Sequence, residues 1–188
     1  MPPKATITKE QIAQAAFEII RKDGYDALNT RRLASSLGMS TMPLFKYYKN
    51  IDEIKRAAVN LGVEEYMRYM QRGSNDPIPF KGIGRAYIKF AKEEPKLFEI
   101  FYMRPTESVL GLSNTDPSTA PALDMASKIL SGNTTGAEKL LRDMWIVVHG
   151  IATLEATGKY SFSDEEKSQI LSTIFSGLKT QYGGDMHE

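Results

Sequence analysis

The residues that could do chemistry in this sequence fall into two groups, and the first is quickly exhausted. His149 and Glu155 would be the natural acid–base pair. Six positions apart on one helix, they point to different sides and would need outside partners. The chain has no cysteine, so it offers neither a thiolate nucleophile nor a disulfide framework. Its two histidines, one of them the penultimate residue His187, make a poor zinc site. A Gly-rich phosphate loop, a G-x-S-x-G elbow and an H-E-x-x-H pair are all missing. The sequence reads as a non-enzyme, with no catalytic residue, no metal site and no cofactor.

The second group is built for binding. Thr30 and Arg31 open a short helix, where hydroxyl, guanidinium and helix-terminal N–H groups can meet phosphate. Lys46, Tyr47 and Lys49 follow, and such residues give salt-dependent affinity for a nucleic-acid backbone without choosing sequence. Between them, Ser40 is expected to cap a second helix whose first residues, Thr41, Met42 and Pro43, would enter a major groove first. Met42 and Pro43 are apolar, which suits thymine methyl groups. Of the neighbouring tyrosines, Tyr48 is assigned to the core and Tyr47 to the outside.

To hold those side chains, TRRLASSLGMSTMPLFKYY (30–48) must fold as a helix-turn-helix. That motif needs a small residue where the helices meet, a residue tolerant of positive φ in the turn, and an apolar anchor on the second helix. Ala34, Gly38 and Leu44 supply these. Pro43 falls in the first turn of the second helix, where a missing N–H costs nothing. The charge is distributed accordingly: the chain is +1 overall, but residues 1–56 hold ten basic residues against six acidic ones.

The rest of the chain reads as helix. Apolar residues recur at spacings of three and four, and alternation of the strand kind is absent. Capping boxes stand at Thr8/Gln11, Thr135/Glu138 and Ser163/Glu166, with Asn50/Glu53 as a weaker version; Gly24, Gly38, Gly73 and Gly158 are stop signals. The expectation is an all-α protein of about nine helices. They cover about 9–22, 31–38, 41–47, 51–72, 80–94, 95–103, 121–131, 136–157 and 164–182. Residues 1–55 would form the DNA-binding domain, with the helix 51–72 as connector, and 73–188 a second domain, with 73–80 as linker. The segment 104–121 reads as mostly loop and the tail from Gly183 as frayed. No apolar run approaches the ~20 residues of a membrane span, and MPPKATITKEQ lacks the apolar core of a secretory signal. A cytoplasmic location is expected.

Residues 8–61, above all GYDALNTRRLASSLGMSTMPLFKYYKNIDEI, resemble the DNA-binding domain of the tetracycline-repressor (TetR) family. The likeness runs from Gly24 and Tyr25 through Leu33, Ala34, Gly38 and Leu44 to Tyr48 and Lys49. It implies an all-helical homodimer, usually a repressor released from its operator by a small ligand. Carried over by position, Thr30, Arg31, Thr41, Met42, Pro43, Phe45, Tyr47 and Lys49 become the DNA contacts. Two positions depart from the pattern. Phe45 stands where the family usually has a phosphate-binding tyrosine, and Ile51 where a polar or basic residue is common. Affinity would then lean on Lys46, Lys49 and the basic arm at Lys4. Those same departures define the alternative, a helical interaction or sensor module that has lost operator binding.

The body carries two further expectations. The helix 136–157 has a wide apolar face including Leu140, Leu141, Met144, Trp145, Val148, Ile151 and Ala152, and the helix 164–182 has one with Ile170, Ile174, Phe175 and Leu178. Such faces serve either the monomer core or a four-helix dimer interface. In a dimer, two recognition helices ~34–36 Å apart would meet a palindromic site. The segments 86–103 and 143–155 resemble a C-terminal subgroup named for a Trp-His-Gly signature, here Trp145, His149 and Gly150. Trp145 and His149 share a helix face, and Gly150 would let a neighbouring helix come close. Tyr87, Phe90, Phe98, Phe101, Tyr102, Met103, Met125, Trp145 and His149 are candidate walls for a small apolar or aromatic effector, with plain core packing as the other reading of each.

Overall fold

In the computed structural model, residues 7–104 and 120–183 are described, and among them every regular element is helical. There are eight α-helices: α1 (Lys9–Asp23), α2 (Thr30–Ser36), α3 (Ile51–Ser74), α4 (Pro79–Glu93), α5 (Pro95–Tyr102), α6 (Ala120–Ile129), α7 (Thr134–Ala156) and α8 (Asp164–Gly183). Two short 3-10 helices stand at Tyr25–Ala27 and Met42–Lys46. The all-α expectation holds, but the count of nine does not. The helix expected after Ser40 is wound as a 3-10 helix of five residues. That length is too short to offset the cost of nucleating an α-helix, and Pro43 removes one of its donors. Ser40 does not cap it; Thr41 holds that position and makes no capping side-chain bond. The chain divides into two compact units after Met67, inside α3.

The first unit is organised by α1. Thr8 and Gln11 form the expected capping box, and α1 ends at Gly24, whose φ of 91° favours glycine. Ile12, Ala16, Phe17, Ile19 and Ile20 are buried on one side of α1. Leu28, Leu33, Ala34, Leu44, Tyr48, Ile54 and Ala58, from the elements that follow, are buried with them. At the start of α3, Asn50 caps Glu53 as expected.

In the second unit, α4 packs on α7, and α7 in turn packs on α6 and α8. Phe90, Leu97, Phe98, Leu140 and Ala152 are at its centre. Three sequence expectations change here. Gly73 does not end α3, which continues to Ser74, and the stretch between α3 and α4 is a tight turn rather than a linker. A Cβ at Gly82 would fall 2.1 Å from the Gly73 carbonyl oxygen, so the two backbones touch there. The start of α7 is capped by Asn133, whose side chain takes the Gly136 N–H at 2.9 Å, rather than by Thr135. Among the described residues, a Cβ at Gly150 would meet nothing within 4 Å. The segment 105–119, the tail beyond Gly183 and the arm at Lys4 lie outside the described residues.

Candidate functional site

The candidate nucleic-acid interface is set by what its neighbours bury. Leu33 and Leu44 are fully buried and Ala34 nearly so, which clamps the recognition segment onto α2. Gly38 turns the chain at φ 64°, and the Met39 N–H returns to the Ala34 carbonyl at 3.0 Å. Tyr48 is buried, and its hydroxyl donates to the Lys9 carbonyl at 3.1 Å. Burial raises its pKa, so the phenol stays protonated and remains the donor.

With Leu44 and Tyr48 inward, the intervening residues are turned out. Met42 is 76% exposed, Phe45 44% and Tyr47 37%. Ser40 is exposed, while Thr41, Pro43 and Thr30 are half-buried. Arg31, Lys46 and Lys49 are exposed, and none of them has an ion pair among the described residues. Arg32, by contrast, is drawn back to Asp23. The first turn of α2 is capped by Asn29, which accepts from the Arg32 N–H at 3.0 Å. The Lys49 N–H donates to Glu53 at 2.7 Å, fixing the turn into α3. Exposed apolar side chains thus stand among unpaired cations, a surface suited to a partner with both phosphates and apolar edges.

The second unit brings five of the nine candidate effector walls into one ring cluster. Trp145 stacks on His149 at 4.6 Å and 15°. Phe98, Tyr102 and Tyr87 surround the same imidazole, with centroids at 5.6, 5.7 and 6.2 Å. The Tyr87 hydroxyl lies 2.9 Å from His149 Nδ1. Burial lowers the His149 pKa below its usual value, which keeps the ring neutral at physiological pH. Phe90 and Phe101 form an adjacent stack, 6.0 Å apart and nearly parallel, and both are buried. Met125 is half-buried on α6, and Met103 is 42% exposed at the end of α5.

Two structural residues escaped the sequence. Glu155 is almost completely buried; it accepts the Phe162 N–H at 3.1 Å, with Lys92 and Lys167 ammonium groups at 3.3 and 3.6 Å. Its place on the α7 face occupied by Leu140, Val148 and Ala152 was the available signal. Tyr182 hydrogen-bonds Asp143 through its hydroxyl and gives its carbonyl to Asn133 at 3.1 Å, tying the C-terminal end of α8 to the N-terminal half of α7. Nothing in the local pattern around Tyr182 marks that role.

A helix-turn-helix with an outward apolar and cationic edge, joined to a helical body around a ring cluster, defines a class of transcriptional regulator. Residues 80–175 match the family model "Tetracyclin repressor-like, C-terminal domain", and residues 12–58 match "Bacterial regulatory proteins, tetR family". The chain belongs to the tetR family of regulators. It is 25% identical over 155 residues to the HTH-type transcriptional repressor DrrR1 of Streptomyces coeruleorubidus, a match covering 73% of this chain and 54% of that protein. The chain therefore spans about half the length of that relative. It is 22% identical to the uncharacterized HTH-type transcriptional regulators Rv0681 of Mycobacterium tuberculosis and YobS of Bacillus subtilis. Those matches cover 96% and 98% of this chain, and 86% and 95% of the relatives.

Proposed function

We propose that the protein is a repressor that binds a palindromic operator as a dimer and leaves it when a small apolar or aromatic ligand enters the second unit. The observation that carries the DNA-binding part is the edge of Met42, Phe45 and Tyr47, exposed beside Lys46 and Lys49 over a fully buried Leu44. In this reading Thr30, Arg31, Lys46, Tyr47 and Lys49 hold phosphates, while Thr41, Met42 and Pro43 meet base edges. Ser40 and Phe45 stand at the same surface.

The dimer is assigned to α7 and α8. Ile146 (57% exposed), Gly150 and Leu154 (39% exposed) recur every fourth residue on α7 and form an apolar stripe without cover. Gly150, where a Cβ would meet nothing within 4 Å among the described residues, would let the partner's helix approach. Trp145, His149 and Gly150 are the residues that support the Trp-His-Gly subgroup on this reading.

A mobility-shift assay on the DNA flanking the gene tests the proposal. Arg31→Ala and Lys49→Ala should weaken binding to all sequences and make it less salt-dependent. Thr41→Ala should change which operator is selected. A wild-type protein that shifts no flanking palindrome in a salt-sensitive way would leave the alternative, a helical module without operator binding.

A further inference from the structure

On the effector-release reading proposed above, His149 decides the chemistry of the ligand. We propose that the effector is an uncharged aromatic molecule bearing a hydrogen-bond acceptor, such as a ketone oxygen, which the Nε2–H of His149 receives while the aromatic ring packs among Phe98, Tyr102 and Trp145.

The proton is placed by Tyr87. Its hydroxyl lies 2.9 Å from Nδ1, and a phenol is a far stronger acid than a neutral imidazole N–H. The phenol therefore donates to Nδ1, and the imidazole proton sits on Nε2. Nε2 has no hydrogen-bond partner among the described residues and is not sealed from solvent. The imidazole is thus a donor held in place on both sides, by Tyr87 through Nδ1 and by the stacked Trp145.

The surroundings exclude charged guests. Burial alone lowers the proton affinity of His149, and no charged group contributes. The carboxylates nearest these rings in sequence are already engaged: Glu99 beside Phe98 by Lys96, and Asp143 near Trp145 by Arg142 and Tyr182. A cation would find ring faces but a donor where it needs an acceptor, and among the described residues no cation acts on His149 that would favour an anion there. One turn further along the same stripe, Thr153 buries its hydroxyl without a hydrogen-bond partner. A second polar group is therefore available to a guest on this face.

Three aromatic probes separate the possibilities: acetophenone, ethylbenzene and phenyltrimethylammonium. Trp145 is the only tryptophan, so its fluorescence follows each titration of the full chain. Acetophenone should bind about tenfold tighter than ethylbenzene, because the hydrocarbon leaves the Nε2–H unpaired, and the ammonium should bind weakest. In His149→Phe both neutral probes should still bind, with the tenfold ratio reduced to about one. With only two histidines in the chain, the NMR spectrum of nitrogen-labelled imidazole should show the buried one protonated on Nε2. Equal affinity for ketone and hydrocarbon, tightest binding of the ammonium, or a proton on Nδ1 would overturn the acceptor rule while leaving the effector site standing. If none of the three changes Trp145 fluorescence, the acceptor rule and the effector-release reading fall together.

Discussion

The carboxylate of Glu155 is buried on α7 and meets the ammonium of Lys92, from α4, at 3.3 Å. Lys167 of α8 approaches the same carboxylate, and the Phe162 N–H of the α7–α8 connection is bonded to it. One acid therefore holds two helices and a turn against α7. Glu155→Ala should cost about 1–3 kcal/mol, because it leaves the Phe162 N–H without its acceptor, while Lys167 keeps Asp164 at 2.9 Å. Glu155→Gln keeps an oxygen for the Phe162 N–H and should cost less. Urea denaturation of the two variants would show the order, and equal losses would mean that the charge, which both variants remove, carries the whole effect.

The contact between Gly73 and Gly82 gives a steric prediction. A methyl at position 82 would stand 2.1 Å from a backbone oxygen and 2.3 Å from Asp76 Cβ, so the α3–α4 turn must move. Gly82→Ala should destabilise by about 1–3 kcal/mol or more. Gly177→Ala is the control: its Cβ meets nothing within 4 Å, and alanine in a helix should stabilise by about 0.5–1 kcal/mol. Thermal melts of the pair should shift in opposite directions.

His149 makes stability depend on pH in a defined direction. Its folded pKa is depressed by burial below the usual 6.5. Above 6.5 both states are neutral and the contribution is fully present. As pH falls below that value the unfolded chain takes up a proton first, and stability declines until pH has passed the folded pKa. Urea midpoints should therefore drop on acidification more in the wild type than in His149→Gln. Parallel profiles for the two proteins would contradict this.

Phe45 offers a gain-of-function test. It is exposed on the candidate DNA edge, where a hydroxyl would have solvent or phosphate to bond. Phe45→Tyr should raise operator affinity about three- to tenfold, the worth of one added hydrogen bond. The effect should be similar for every operator sequence, since a phosphate is the partner; a gain confined to one sequence would assign the hydroxyl to a base.

The head was largely legible because its signals are local. Ala34, Gly38 and Leu44 each answer one steric demand of the turn, and all three occupy the places those demands assign. Tyr47 and Tyr48 separated as expected, outward and inward. The winding of 42–46 was not legible, because five residues with a proline lie below the length at which periodicity distinguishes helix types. The body was harder to read. A glycine's contact can be distant in sequence, so Gly73 looked like a stop when it is a point where two backbones meet. Glu155 and Tyr182 act through residues on other helices, which no local window contains.

The 3-10 winding of Met42–Lys46 has a geometric consequence for any duplex laid against it. With three residues per turn, Met42 and Phe45 stand one above the other, whereas an α-helix would fan them apart. At about 2.0 Å of rise per residue they are about 6 Å apart, close to two base-pair steps of about 3.4 Å. The segment is a blade rather than a rod. The spacing of its apolar edge would match base pairs two steps apart rather than adjacent ones.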